Sequence, residues 1–422
     1  MKQKLMACIL SLLLPLTFLS SCAKNNGTDS SGRTVIRYTN WEVLPTQIEL
    51  MRQIIAKFEK QNPDIKVKLE WGSKSDKIIT ELAGNSAADV FYWVNPVDLF
   101  NKDVLEDLTP YIEKYKVNLK NYYPTTVLEG SHKGRLMMFP LHFSSYCLAY
   151  NKDIFDKAGL PYPTDKWTWD DFYKTAKSLT RDNNGDGGRD WYGTTLPQKV
   201  IMLRMNGGTL INEKTLEPAI DTKETREFID FDVKLYKECC PSPEEEETFG
   251  GKVGVNLFMT GKIATQIAPT FMLAQFSKIS AFKWDVTAIP VPTGKQRKNF
   301  ITTGGLCIPK QCKNKDAAFR FIQFYCGPEG QALLAQTKNC VPSLIEAAKT
   351  SFAVPPPDNI KYYLTAAENA SMLQPQISAY KEIISQHFNK ELQLVELGKK
   401  TPEQAIKDIV AGSRVILDTY KK

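Results

Sequence analysis

Five oxygen-bearing residues recur at alternate positions in one loop: Asp182, Asn184, Asp186, the Gly188 carbonyl and Asp190. Carboxylate and carbonyl oxygens at these offsets, with a glycine (here Gly187) for the turn, suit a calcium ion. The bidentate Glu that completes such a loop is missing, because Gly193 stands at its offset. The loop therefore reads either as a structural Ca²⁺ site or as a polar turn held by its own Asp and Asn side chains. Cys307 and Cys312 imitate a metal or redox spacing, but no second pair stands at zinc-site spacing. The histidines, His132, His142 and His387, lie far apart in sequence. The chain has no Gly-X-Ser-X-Gly, no His-Glu-X-X-His and no phosphate loop. No carboxylate pair can be singled out for glycoside hydrolysis, so a glycosidase is the weaker alternative and no catalytic residue is expected. Recognition chemistry remains. Trp41 with Glu42, Trp71 with Gly72 and Ser73, and Trp93 with Asn95 each close a short apolar run.

Those runs have the character of strands. Residues 34–41 (TVIRYTNW) alternate and are rich in β-branched and aromatic side chains. Residues 65–71 (IKVKLEW) alternate cleanly, and residues 88–94 (ADVFYWV) form a compact apolar stretch. Between the first two, residues 45–61 place Ile48, Met51, Ile54, Ile55 and Phe58 on one helical face. Alternating β and α elements predict an α/β sheet, whose ligands collect at the carboxyl ends of the strands. Residues 139–150 read as a further strand, followed by a helix from Asn151 and another from Trp169. Residues 241–247 read as an acidic, solvated loop.

With 422 residues the chain exceeds one ordinary core, and two domains are expected. A formal net charge of +7, with both signs interspersed and no basic block, argues against nucleic acid as a partner. Residues 1–22 differ in kind: Lys2 and Lys4 precede an almost wholly apolar run that ends in Leu19-Ser20-Ser21-Cys22. The run is shorter than the ~20 residues a spanning helix needs, and it reads as a secretory signal. Its ending resembles a bacterial lipobox, which implies lipidation of Cys22. Residues 23–33 (AKNNGTDSSGR) have the composition of a flexible tether. Seven cysteines follow Cys22, an odd number that leaves at least one thiol unpaired, and most are expected to be small buried hydrophobes.

Across nearly all of its remaining length the chain resembles the family 1 extracellular solute-binding lipoproteins, the sugar-binding, maltose-binding-protein-like components of ABC importers. The most specific part runs from Gly134 to Thr180, with Gly134-Arg135 leading to Phe139-Pro140, then Tyr150-Asn151-Lys152-Asp153, Ala158-Gly159-Leu160 and Trp169-Asp170-Asp171-Phe172. Met205-Asn206-Gly207-Gly208, Gly261-Lys262-Ile263-Ala264, Gly304-Gly305 and Thr401-Pro402-Glu403-Gln404-Ala405 extend the match. The resemblance implies the type II periplasmic-binding-protein fold, two α/β lobes joined by hinge strands with the ligand cleft between them. Lobe 1 is then expected over residues 34–142 and 293–345, and lobe 2 over residues 143–292 and 346–422. It also implies a monomer outside the cytoplasm, held to the bacterial membrane by lipid on Cys22 and serving ABC permease subunits.

A pyranose offers C–H faces to flat aromatic rings and a rim of hydroxyls to carboxylates, amides and arginine. On this reading Trp41, Glu42, Trp71, Ser73, Asp89, Trp93, His142, Tyr146, Phe271, Gly304, Gly305 and Tyr380 are the candidate ligand-binding residues, for a saccharide or related polyol. Each aromatic could equally be a core or rim residue, and Asp89 could simply orient its strand edge. Two departures from the family pattern bear on the sugar's identity. Ala268-Pro269-Thr270-Phe271 stands where the family carries Gly-Pro-Trp, and Lys381 stands where maltose-type binders place a ring beside Tyr380. Some alginate-binding relatives hold calcium in a loop like that at Asp182, with a Glu where this chain has Trp191. No cofactor is required on this reading. A surface adhesin is the remaining alternative.

Overall fold

The computed structural model describes residues 27–41, 45–182, 185, 188–196, 198–248 and 256–420. The Cys22 site and the apolar leader lie outside them, as does Glu42. Residues 34–39, 65–70 and 90–94 form the expected strands, and Thr34–Thr39 pairs in parallel with both of the others. The helix Pro45–Gln61 lays its apolar face on this sheet, with Met51, Ile54 and Phe58 almost fully enclosed. Burying each such side chain stabilises the fold by roughly 1.5–3 kcal/mol.

The larger sheet runs in the order Val341–Pro342, Phe139–Ser144, Phe300–Cys307, Val90–Val94, Thr34–Thr39, Ile65–Glu70, with Ser371–Met372 beside the start of Phe300–Cys307. A smaller sheet has the order Trp284–Thr287, Tyr146–Asn151, Ile263–Pro269, Tyr192–Thr194. The strands Phe139–Ser144 and Tyr146–Asn151 are consecutive, yet they belong to different sheets with Ser145 alone between them. Ser145 is pinned on both sides. Its N–H donates to Thr270 Oγ1 (3.1 Å), its carbonyl accepts from the Thr270 N–H (3.0 Å), and its hydroxyl donates to the Tyr363 carbonyl (2.7 Å).

After the change of sheet, Asn151 caps the helix Lys152–Ala158 by accepting from the N–H groups of Asp153 and Ile154. Thr168 and Asp171 form a reciprocal capping box that starts the helix Trp169–Leu179. The chain returns to the larger sheet between Thr287 and Phe300, and residues 371–378 lead out of it again. The last helices, including Pro402–Tyr420, then pack with Tyr146, Leu148 and Trp169 of the smaller body. A further apolar cluster, with Phe143, Cys147, Ile301 and Tyr363, lies under the junction and joins both bodies.

One element differs from expectation. Residues 243–248 form a short helix where a loop was predicted, because Ser242 and Glu245 cap each other across its first turn, the Ser242 N–H donating to Glu245 Oε2 at 2.6 Å. The seven cysteines after Cys22 are all buried.

Candidate functional site

The ends of the strands Thr34–Thr39 and Val90–Val94 bring Trp41 and Trp93 together, ring centroids 5.4 Å apart and planes at 80°. Trp41 also meets Tyr92 edge-on at 5.3 Å, and Tyr92 stacks on His142 at 5.4 Å. Trp41 and Trp93 wall a cavity of 260 Å³ that is also lined by Asn95, Thr302, Gln374 and Lys381. Its volume lies close to the ~300 Å³ lower end of small-molecule sites. Asn95 ties three segments together: its N–H donates to the Thr303 carbonyl (3.3 Å) and its side-chain amide to Gln374 Oε1 (2.9 Å).

The electrostatics favour neutral recognition with a charged mouth. Trp41 Nε1 is shielded from solvent and has no hydrogen-bond partner, so an indole N–H is left to donate. His142 Nδ1 is likewise unpartnered, and burial pushes the ring's pKa down to about 4, which keeps it neutral at physiological pH. Tyr146 opens the first strand of the smaller sheet. Its phenol is pushed up to about 12 by burial, with Thr302 pulling the other way. Burial raises the Asp98 carboxyl above its ordinary range, and Lys381 is the first of the groups opposing it.

The glycines Gly304 and Gly305 serve this site by what they lack. A Cβ on Gly304 would stand 2.4 Å from the Tyr92 hydroxyl and 2.7 Å from the His142 ring. One on Gly305 would stand 2.4 Å from the Phe139 carbonyl oxygen. Their strand breaks register between the two residues, which lets it run close under both neighbours.

Other candidates lie apart from the cavity. Asp89 is engaged in the frame, accepting from the Arg37 N–H at 2.8 Å and from Cys312 Sγ at 3.1 Å, so it orients the strand edge. Ser73 is buried, with its N–H donating to the Asn40 carbonyl and its hydroxyl accepting from Lys77 Nζ. Trp71 is 49% exposed with the Arg52 guanidinium over its ring, and Phe271 is 48% exposed on the other body. Tyr380 is enclosed in the core of the smaller body, and its neighbour Lys381 is the residue that reaches the cavity. In the acidic loop, Asn184, Asp186 and Gly187 fall outside the described residues, and Asp182 Oδ1 accepts from the Gly185 N–H at 2.6 Å. Among the described residues no cluster of three or more metal-ligating side chains occurs.

Thr302 and Gln374 are not among the sequence candidates, and Asn95 is noted there only beside Trp93. Asn95 carried a usable signal, since it follows Trp93 at a strand end and precedes Pro96. Thr302 and Gln374 meet it only through the return of the chain.

Two α/β bodies joined by shared extended segments, with a cavity at the strand ends between them, define the type II periplasmic-binding-protein fold. An ABC substrate-binding protein of Listeria monocytogenes, solved in complex with cycloalternan, shares this fold at a TM-score of 0.80 and 28% identity, over 92% of this chain and 99% of its own. The chain belongs to the bacterial extracellular solute-binding protein family, whose profile matches residues 45–332. A mannitol-binding protein of Pseudomonas aeruginosa is 23% identical over 349 residues, 76% of this chain and 73% of its own. A melibiose/raffinose/stachyose-binding protein of Bacillus subtilis is 26% identical over 196 residues, 44% of this chain and 42% of its own.

Proposed function

We propose that this chain is a non-catalytic receptor that closes on a saccharide or related polyol and delivers it to the transmembrane subunits of an ABC importer. The observation that carries the reading is the cavity at Trp41 and Trp93, whose two perpendicular rings line the same space as Asn95, Thr302 and Gln374, with the Trp41 indole N–H left unpartnered. Rings supply the flat faces that sugar C–H groups need, and the amides and hydroxyls supply donors and acceptors for its rim. The family and its carbohydrate-binding relatives support the same class of ligand.

The lobes are drawn at residues 142/143, 292/293 and 345/346, the first two near the passages at Ser145 and between Thr287 and Phe300. Ligand favours the closed state by touching both lobes. Cys22 carries the lipid that holds this monomer to the bacterial membrane outside the cytoplasm, and binding needs no cofactor. Melting-temperature shifts against a panel of mono- and oligosaccharides and polyols test the reading. A saturable rise without turnover is expected, whereas hydrolysis of the same oligosaccharide would point to the glycosidase alternative.

A further inference from the structure

A second cavity, of 690 Å³, lies where the return segment and residues 368–371 meet the smaller body. Arg204 and Arg297 line it, and among the described residues no carboxylate forms a salt bridge to either guanidinium. Arg297 spends its donors on the backbone carbonyls of Ile289 and Asp165, which fixes the group without neutralising its charge. Arg204 lies with its guanidinium carbon 5.1 Å from the Phe300 ring centroid, and its Nη1 is buried without a hydrogen-bond partner. The Tyr380 hydroxyl beside it interacts with the guanidinium and, being neutral, leaves the charge uncompensated.

The frame around Arg204 is firm. It sits in the last turn of the helix Lys199–Asn206, and Lys295 Nζ binds that helix end through the Asn206 carbonyl (2.7 Å) while pairing with Glu227 at 3.1 Å. Arg297 lies two residues beyond Lys295, so one anchor sets both guanidinium groups. Lys298 lies exposed at the rim, as do Glu213 and Glu368. The exposed charges are screened by solvent, whereas the half-buried guanidinium groups are screened less. A planar fork of donors with an unmet N–H matches the two oxygens of a carboxylate, sulfate or phosphate.

We propose that this cavity is an oxyanion site, with Arg204 as the hydrogen-bonding group, Arg297 as a fixed second charge and Lys298 at the entrance. The oxyanion is either a free inorganic ion or the acidic group of a sugar such as a uronic acid. The site is separate from the Trp41 cavity, so its occupancy can be tested whether or not the saccharide reading holds.

The experiment is isothermal titration of the purified chain with sulfate, phosphate and D-galacturonate at constant ionic strength. Saturable binding of at least one anion is expected. Arg204→Gln should weaken it at least about tenfold, Lys298→Gln about two- to threefold, and Trp41→Ala should leave it unchanged. Tighter binding of galacturonate than of the inorganic ions assigns the site to an acidic sugar, and the reverse order assigns it to a free ion. Because Lys298 is exposed, its variant keeps the test open if Arg204→Gln does not fold. Absence of saturable binding by all three anions, or full affinity in both basic-residue variants, overturns the proposal. Loss of galacturonate binding in Trp41→Ala alone would move that ligand to the Trp41 cavity and equally overturn it.

Discussion

Glu129 Oε2 accepts a hydrogen bond from the Thr303 N–H at 2.9 Å, in the middle of the strand that carries Thr302 into the cavity. The carboxyl is only 2% exposed, and burial pushes its pKa up to about 8 from an ordinary 4.5, with the Thr303 hydrogen bonds opposing the rise. Gln376 grips the same helix end, its side-chain amide donating to the carbonyls of Leu128, Glu129 and Ser131. The return strand and the exit to the last helices are thus fastened to one point.

A folded-state pKa above the unfolded value means that the folded chain holds the extra proton between the two. Stability is therefore expected to fall as pH rises from about 4.5 to about 8. The loss should be on the order of a few kcal/mol, and Glu129→Gln, which keeps an acceptor for Thr303, should remove that slope. Urea denaturation of both proteins across this range checks it; parallel curves would show that Glu129 does not titrate within the fold.

Trp41→Phe keeps a ring against Trp93 and deletes the unpartnered N–H. Affinity for whichever carbohydrate gives the largest melting shift should drop roughly two- to tenfold, with folding unaffected. Trp41→Ala removes ring and donor together and should weaken it further. Titration calorimetry reads both. Equal affinity in all three proteins would place the sugar elsewhere.

Gly304→Ala forces a methyl group against the Tyr92 hydroxyl and the His142 ring. The cost should be about 1–3 kcal/mol, seen as a lower urea midpoint at unchanged slope. An unchanged midpoint would mean that Tyr92 moves aside freely.

For the loop at Asp182, the hydrogen bond to the Gly185 N–H and the glycine at the position of the bidentate carboxylate favour a self-held turn. EDTA should leave the melting temperature unchanged. A fall reversed by added calcium would reinstate the ion.

The strands and their aromatic ends were legible because alternation and turn residues act locally. Trp41 and Trp93 could be named as candidates for that reason, although nothing in the sequence says that their rings touch. Trp71 ends its strand in the same way and still lies exposed, since that strand is the edge of the sheet and has a neighbour on one side alone. Asp89 shows the opposite limit: a carboxylate beside a strand end is consumed by a backbone N–H and a thiol that arrive from distant segments. Glu129, at the end of a short helix, carries no mark of its burial, which the return strand imposes. Arg204 is similar, for a basic residue in the last turn of a helix is ordinary until its missing partner is seen.

The one-residue link at Ser145 has a consequence for parity. Side chains alternate through it without a break, so Phe143, Cys147 and Ala149 share the apolar cluster under the junction while Tyr146 and Leu148 face the other core. Adding or deleting one residue there would exchange these sets along the whole following strand, sending Tyr146 to the place of a cysteine. An insertion of two residues would preserve the faces. Length at this joint is thus constrained in steps of two, a restriction on how the chain can vary that no single side chain reveals.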